Sequence, residues 1–309
     1  MLHALIILGL FLAAFLFSSY YTYTLAFYSS PKRRKNPYIL PNTEQYNVFR
    51  EENTARVAKL LAEKYEPVST TSFDGLALTG MYYHRQEGAP VVVCFHGWRS
   101  TGIRDFCGIA STFLDMNHNV LLVDQRAQGK SEGRSMTFGI KERYDCQTWI
   151  NYINDRFSSS TDIFLCGLSM GAATVLMASG LELPDNVRCV LADSPYSSPA
   201  EIIKKVCRDM KIAPAIAWPF LCVGARLFAG FNLTAATAAD AIRRATIPIL
   251  IMHGTDDRFV PCEMSAEFPS LNPLVERHTF EGAGHGISFL LDQPRYEAIV
   301  QDFINRAKS

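Results

Sequence analysis

The chain has 309 residues, 48% hydrophobic and 19% charged, with 30 Lys+Arg against 30 Asp+Glu. That length suits one large domain or two small ones. A formal charge of zero argues against nucleic-acid binding, which needs a basic excess, and the apolar fraction excludes a disordered chain. The mean hydropathy of +0.04 is high for a soluble enzyme, and its source is the N-terminus.

From Leu2 to Ser30 there is no Asp, Glu, Lys or Arg, and Ala4–Phe17 is almost wholly apolar. About 20 apolar residues span a bilayer, and Tyr favours its interface, so this stretch with Tyr20, Tyr21 and Tyr23 reads as a membrane anchor. A cleaved signal peptide is the rival. It fits less well because Met1-Leu2-His3 is uncharged and Thr24-Leu25-Ala26 is a poor cleavage site. Next comes Lys32-Arg33-Arg34-Lys35. Basic residues stay on the cytoplasmic side, which places the rest of the chain in the cytoplasm; the same cluster suits anionic headgroups. The eight cysteines show no CxxC or metal-like spacing, and several sit in apolar runs as small buried hydrophobes, so reduced thiols are expected.

Residues 36–66 read as a linker punctuated by Pro37 and Pro41, then a helix carrying Val57, Leu60 and Leu61. Beyond them a hairpin is expected, with segments near Val68–Phe73 and Leu76–Tyr83 joined by Asp74-Gly75. Short apolar runs then alternate with helix-length amphipathic stretches: Val91–Phe95, Val120–Val123, Ile163–Leu168, Val187–Ala192 and Ile247–Met252. Runs without period-two alternation suit strands buried on both faces, and the alternation implies a mainly parallel sheet covered by helices. About fifty residues break this rhythm between Asp193 and Ile247. They open on a capping box, Ser198-Pro199-Ala200-Glu201, and contain the greasy stretch Ile212–Phe231. A helical insert is expected there, packed over the core or lining an acyl pocket.

Three motifs carry chemistry. Gly167-Leu168-Ser169-Met170-Gly171 lies between an apolar strand-like run and the small-residue helix Ala172–Ala178. A strand, a sharp turn and a helix lift a serine hydroxyl above a sheet, and the flanking glycines let strand and helix approach. His285, in Gly282-Ala283-Gly284-His285-Gly286, is the best-placed base. His96 and His253 precede glycines at strand ends, His278 lies within a strand, and His3, His84 and His118 fall in the anchor or on the surface. An orienting carboxylate follows a late strand, where Asp256 and Asp257 are adjacent candidates; Asp193 is a third. The order Ser, Asp, His is one of the known triad orders.

From about residue 66 onward the chain resembles the α/β-hydrolases, close to bacterial membrane-anchored members grouped with serine aminopeptidases and monoglyceride lipases. The resemblance rests on the elbow around Ser169 and on His253-Gly254-Thr255-Asp256-Asp257-Arg258-Phe259-Val260-Pro261. In that family the pattern His-Gly-x-x-Asp-x-x-Val-Pro carries the triad acid, which selects Asp257. The resemblance further implies an oxyanion hole of two backbone N–H groups, at Met170 and at Trp98 in Phe95-His96-Gly97-Trp98. The segment Asp124–Gly133 resembles a structural loop of the family, with Ala127 in place of its usual glycine.

The expected fold is therefore an α/β-hydrolase, a mainly parallel sheet flanked by helices. Its expected division is a transmembrane anchor over 1–30, a basic linker and helix over 31–65, and a hydrolase domain over 66–309 with a cap insert at about 195–245. The expected function is a single-pass membrane-anchored serine hydrolase of the cell membrane. It would cleave a small-molecule ester or thioester, lipids included, through Ser169, His285 and Asp257 and an acyl-enzyme, with no metal or organic cofactor. A peptidase or amidase, an acyltransferase using an alcohol in place of water, and a non-catalytic binding module at the membrane are the alternatives.

Overall fold

A computed structural model describes residues 1–30, 38 and 40–308; the basic cluster Lys32–Lys35 lies outside the described residues. Eight strands form one sheet: β1 (Glu66–Thr71), β2 (Ala77–Tyr83), β3 (Val91–Phe95), β4 (Asn119–Asp124), β5 (Ile163–Leu168), β6 (Val187–Asp193), β7 (Ile249–Gly254) and β8 (Val275–Phe280). Their spatial order is β1-β2-β4-β3-β5-β6-β7-β8. β2 runs antiparallel to β1 and to β4, and the remaining neighbours pair in parallel. The expected hairpin closes at Ser72–Leu76, with Gly75 at φ 87°.

The central strands are buried on both faces, as their unbroken apolar runs require. Val92, Cys94, Phe164 and Cys166 face one side, packing with the helices Arg50–Ala62, Gly102–Phe106 and Gln293–Ala307. Val91, Val93, Leu165 and Ile251 face the other, under Glu142–Arg156, Met170–Ser179 and Ala238–Arg244. All eight cysteines are free thiols. Strand order reverses about β3, where β4 and β5 flank it, and such a switch point opens a crevice at the carboxyl ends of the strands.

The insert forms the helices Pro199–Asp209, Pro214–Phe228 and Ala238–Arg244. Ser198 caps the first, accepting from the N–H of Glu201 at 3.1 Å. The N-terminal helix, Leu2–Ala26, is long and apolar enough to cross a membrane. Met1–Ala14 is exposed on every side, whereas the C-terminal half docks on the helix Pro214–Phe228. Phe15 meets Phe220 with ring centroids 4.8 Å apart and Tyr23 meets Phe228 at 5.7 Å. Between them Ser19 crosses Gly224 so closely that a Cβ on Gly224 would fall 2.5 Å from the Ser19 carbonyl oxygen. Small residues at such a crossing let two backbones approach. Phe27, just past the helix, is fully buried against Phe138 and Phe231.

Candidate functional site

The register of the parallel strands assembles the site. Phe95 of β3 lies opposite Gly167 of β5, so the loop His96–Ser100 and the turn at Ser169 leave the sheet side by side. Ser169 adopts φ 57° and ψ −114°, immediately before the helix Met170–Ser179. A left-handed backbone is costly for a residue with a Cβ. The turn is held by its neighbours: the Ser169 N–H donates to the Asp193 carbonyl at 2.8 Å. Gly171 has no room for a side chain, since a Cβ there would sit 1.7 Å from the Phe95 carbonyl oxygen. The glycines at 167 and 171 thus serve close strand–helix approach, as the motif predicts.

β7 ends at Gly254 and leads to Asp257; β8 ends at Phe280 and leads to His285. His285 Nε2 is 2.9 Å from Ser169 Oγ and its Nδ1 is 2.7 Å from Asp257 Oδ2. Of the two adjacent aspartates, Asp256 is exposed in the turn and Asp257 is buried. Asp257 Oδ1 accepts from the N–H groups of Phe259 and Val260 at 2.9 and 2.8 Å. Burial by itself would push this carboxyl up, but the facing His285 imidazole, the nearby His253 ring and the Val260 N–H together hold it well below the usual carboxylate range. The Phe259 ring stands edge-on to the imidazole, centroids 5.0 Å apart, and shields it.

Asp193, the third candidate, is engaged elsewhere. Its carboxylate oxygens accept from Ser194 Oγ at 2.9 Å and Tyr296 OH at 3.0 Å, and burial pushes its carboxyl up. The remaining histidines divide as follows. His96 Nε2 accepts from the Gln125 N–H at 3.2 Å; His253 bridges Ser265 Oγ and the Val260 carbonyl at 2.8 and 2.9 Å. His278 pairs with Glu276 at 2.6 Å. His118, expected on the surface, is instead buried against Phe164 because its turn feeds β4 into the core.

Met170 opens its helix, where the first N–H groups have no intrahelical acceptor. Trp98 follows Gly97, at which a Cβ would lie 3.4 Å from Ser169 Cβ. Both residues therefore flank Ser169. The loop carrying Trp98 is held by a residue the sequence motifs do not single out: Asp105 accepts from the Gly97 N–H at 2.7 Å and from Ser100 Oγ. No local pattern marks Asp105, because its partners lie in the preceding loop and not in its own helix. Ala127, in the loop Asp124–Gly133, has φ 60°. The loop's polar groups bond one another, Asp124 accepting from the Lys130 N–H at 2.9 Å.

A cleft of about 980 Å³ opens over Ser169 and His285, within the range of small-molecule sites. The insert helices line none of it, so the greasy stretch Ile212–Phe231 packs over the core and against the N-terminal helix. The insert reaches the site only indirectly, where Lys205 Nζ donates to the Arg258 carbonyl beside Asp257. Part of the cleft wall comes instead from Leu40–Asn53, the segment that reads as a linker in sequence. Tyr46 OH donates to the His285 carbonyl at 2.8 Å.

Comparison with known proteins agrees with this architecture. The Bacillus subtilis (strain 168) protein YqkD is 23% identical over 252 residues, 79% of this chain and 82% of YqkD. Protein bem46 of Schizosaccharomyces pombe is 24% identical over 249 residues, covering 78% of this chain and 77% of bem46. Among solved structures, the Pyrococcus furiosus esterase Pf2001 superposes with a TM-score of 0.64 at 26% identity, covering 80% of this chain and 94% of the esterase. The model of the alpha/beta hydrolase family matches residues 92–298. That match spans β3 to the C-terminal helix and contains Ser169, Asp257 and His285, and this chain belongs to the alpha/beta hydrolase family.

Proposed function

We propose that the protein is a membrane-anchored serine hydrolase that cleaves a carboxylic ester or thioester through an acyl-enzyme. The observation that carries this reading is the unbroken relay from Ser169 Oγ through His285 to Asp257, at 2.9 and 2.7 Å. The likeness to an esterase favours an ester over an amide. In the first step Ser169 Oγ attacks the acyl carbonyl while His285 Nε2 takes its proton. Asp257 stays ionised, holding the imidazole with its Nδ1 protonated and stabilising the imidazolium. Backbone N–H groups of Met170 and Trp98 receive the oxyanion. As the tetrahedral adduct collapses, the carbon–oxygen or carbon–sulfur bond to the leaving group breaks and His285 returns the proton to it. Water, deprotonated by His285, then releases the acid and regenerates Ser169.

The apolar, solvent-exposed Leu2–Ala14 supports membrane anchoring, and the Lys32–Lys35 cluster supports a cytoplasmic catalytic domain. A fluorophosphonate probe tests the nucleophile. Folded wild-type protein is expected to label and a Ser169→Ala variant is expected not to; equal labelling of the two would remove Ser169 from the reaction. Turnover of p-nitrophenyl esters beside aminoacyl-nitroanilides tests the bond, and a preference for the anilides would overturn the ester assignment.

A further inference from the structure

The wall of the cleft that differs most from sequence expectation is the segment Leu40–Asn53, which precedes the residues matched by the family model. It is built as a strap. Arg50 donates to the carbonyls of Leu40 at 3.2 Å and Pro41 at 3.0 Å and to Asn47 Oδ1 at 2.7 Å, closing the segment on itself. Its continuation, the helix Arg50–Ala62, is nailed to the sheet by Val57 and Leu60. At its tip Tyr46 latches the His285 carbonyl, and the Gln45 carboxamide lies directly on Gly284, in the place a Cβ at 284 would take. At the base Asn53 Oδ1 accepts from Cys107 Sγ at 3.1 Å.

The cleft beneath this strap is lined by the apolar residues Phe106, Ile109, Leu168, Ile287, Phe289 and Leu290, with Arg104 and Asp105 among its polar lining. That apolar part of the lining suits the hydrocarbon part of an acyl group, which gains free energy for every methylene withdrawn from water. Gln45 lines the same cleft, its Nε2 buried and without a hydrogen-bond partner among the described residues. A buried donor left unmade is costly, and a polar atom of a ligand would relieve that cost.

We propose that the strap Leu40–Asn53, together with Phe106–Ile109 and Ile287–Leu290, forms an acyl-chain chamber. The substrate is then an ester or thioester of a linear acyl chain longer than acetyl, whose chain lies under the strap and whose length the strap and Leu290 limit. This inference rests on the serine-hydrolase reading above. The cap insert, by contrast, does not select the acyl chain.

Chain-length profiles of kcat/KM for p-nitrophenyl acetate, butyrate and octanoate provide the test, on full-length wild-type, Leu290→Trp, Gln45→Trp and the cap variant Trp218→Ala. The wild type should prefer the longer chains. In Leu290→Trp and Gln45→Trp the octanoate-to-acetate ratio should fall about ten-fold or more, the discrimination that roughly one methylene provides in an apolar pocket. Far-UV circular dichroism and thermal melts of both variants should match those of the wild type, which separates a filled chamber from a misfolded protein. Trp218→Ala should leave the ratio unchanged. A ratio unmoved by both strap-side variants, or moved by Trp218→Ala alone, would overturn the proposal while Ser169-dependent ester hydrolysis stood. Failure of the wild type to cleave any of the esters would overturn the ester reading itself and the chamber with it.

Discussion

The guanidinium of Arg99 donates from Nη2 to the Leu25 carbonyl at 2.9 Å and to the Tyr28 carbonyl at 3.4 Å. Leu25 is in the last turn of the N-terminal helix, where carbonyls lack intrahelical donors and the helix dipole is negative. Arg99 follows Trp98, and its guanidinium lies 4.1 Å from the Trp98 ring centroid. The end of the apolar helix is thus tied to the loop beside Ser169. The same helix end is sewn in by backbone bonds, Met136 N–H to the Phe27 carbonyl and Ser29 N–H to the Arg134 carbonyl, both 2.9 Å.

Replacing Arg99 with Ala should therefore act on stability and on catalysis together. The lost charge-assisted bonds are worth about 1 kcal/mol, a fall of roughly 2–4 °C in Tm by circular dichroism. On a short water-soluble ester, kcat should fall several-fold, because the loop carrying Trp98 loosens beside Ser169. An unchanged kcat would show that the loop holds its place through Asp105 alone.

Asp257→Asn preserves shape but removes the charge facing His285. On the proposed mechanism a fall in kcat of about 10⁴ is expected, the size of loss that follows when a triad acid is neutralised. The stability difference between wild type and Asp257→Asn should also depend on pH. The folded carboxyl is held below its ordinary value, so its stabilisation is fully present above the unfolded value of about 4 and is lost as pH falls through the folded value. Urea unfolding at stepped pH should show the difference shrinking below pH of about 4; a difference constant down to pH of about 2 would contradict the assigned pairing.

His118 gives a second pH signature, away from the site. Burial and the facing Lys308 lower it from 6.5 to about 4, and Lys308 Nζ lies 2.8 Å from its Nε2. Between these values the unfolded chain binds a proton that the folded chain refuses. Stability is then full above pH 6.5 and falls as pH drops toward 4. Allowing for solvent screening, the loss is about 1–2 kcal/mol, and His118→Gln should flatten that part of the curve.

Ala127 occupies a left-handed conformation, φ 60°, that glycine adopts without strain. Ala127→Gly should raise stability by about 0.5–1 kcal/mol, the strain relieved less the added chain entropy. Denaturant melts with an unchanged m-value and a higher midpoint would bear this out, and destabilisation would refute it.

The proposed membrane attachment predicts that the full chain resists alkaline extraction from membranes. In intact cells the C-terminus should be protected from added protease and become cleavable on lysis. Cleavage in intact cells would place the domain on the other side.

Residue order alone determined the local features. Unbroken apolar runs set the buried strands, and the glycine spacing around Ser169 set a strand–turn–helix, because steric limits on a few consecutive residues decide such elements. The capping box at Ser198 and the hairpin at Gly75 were legible for the same reason. The choice between Asp256 and Asp257 came from a family pattern, and the fold supplies its physical basis: one points to solvent and the other is buried against His285. Only the tertiary structure decided what distant segments do. Tyr46 meets His285 across 239 positions, and Arg99 meets Leu25 across 74. Such pairs leave no periodic trace, since their partners are chosen by the packing of whole elements. For that reason a stretch read as a linker became a wall of the cleft, a greasy insert became a dock for the N-terminal helix, and a surface histidine proved buried.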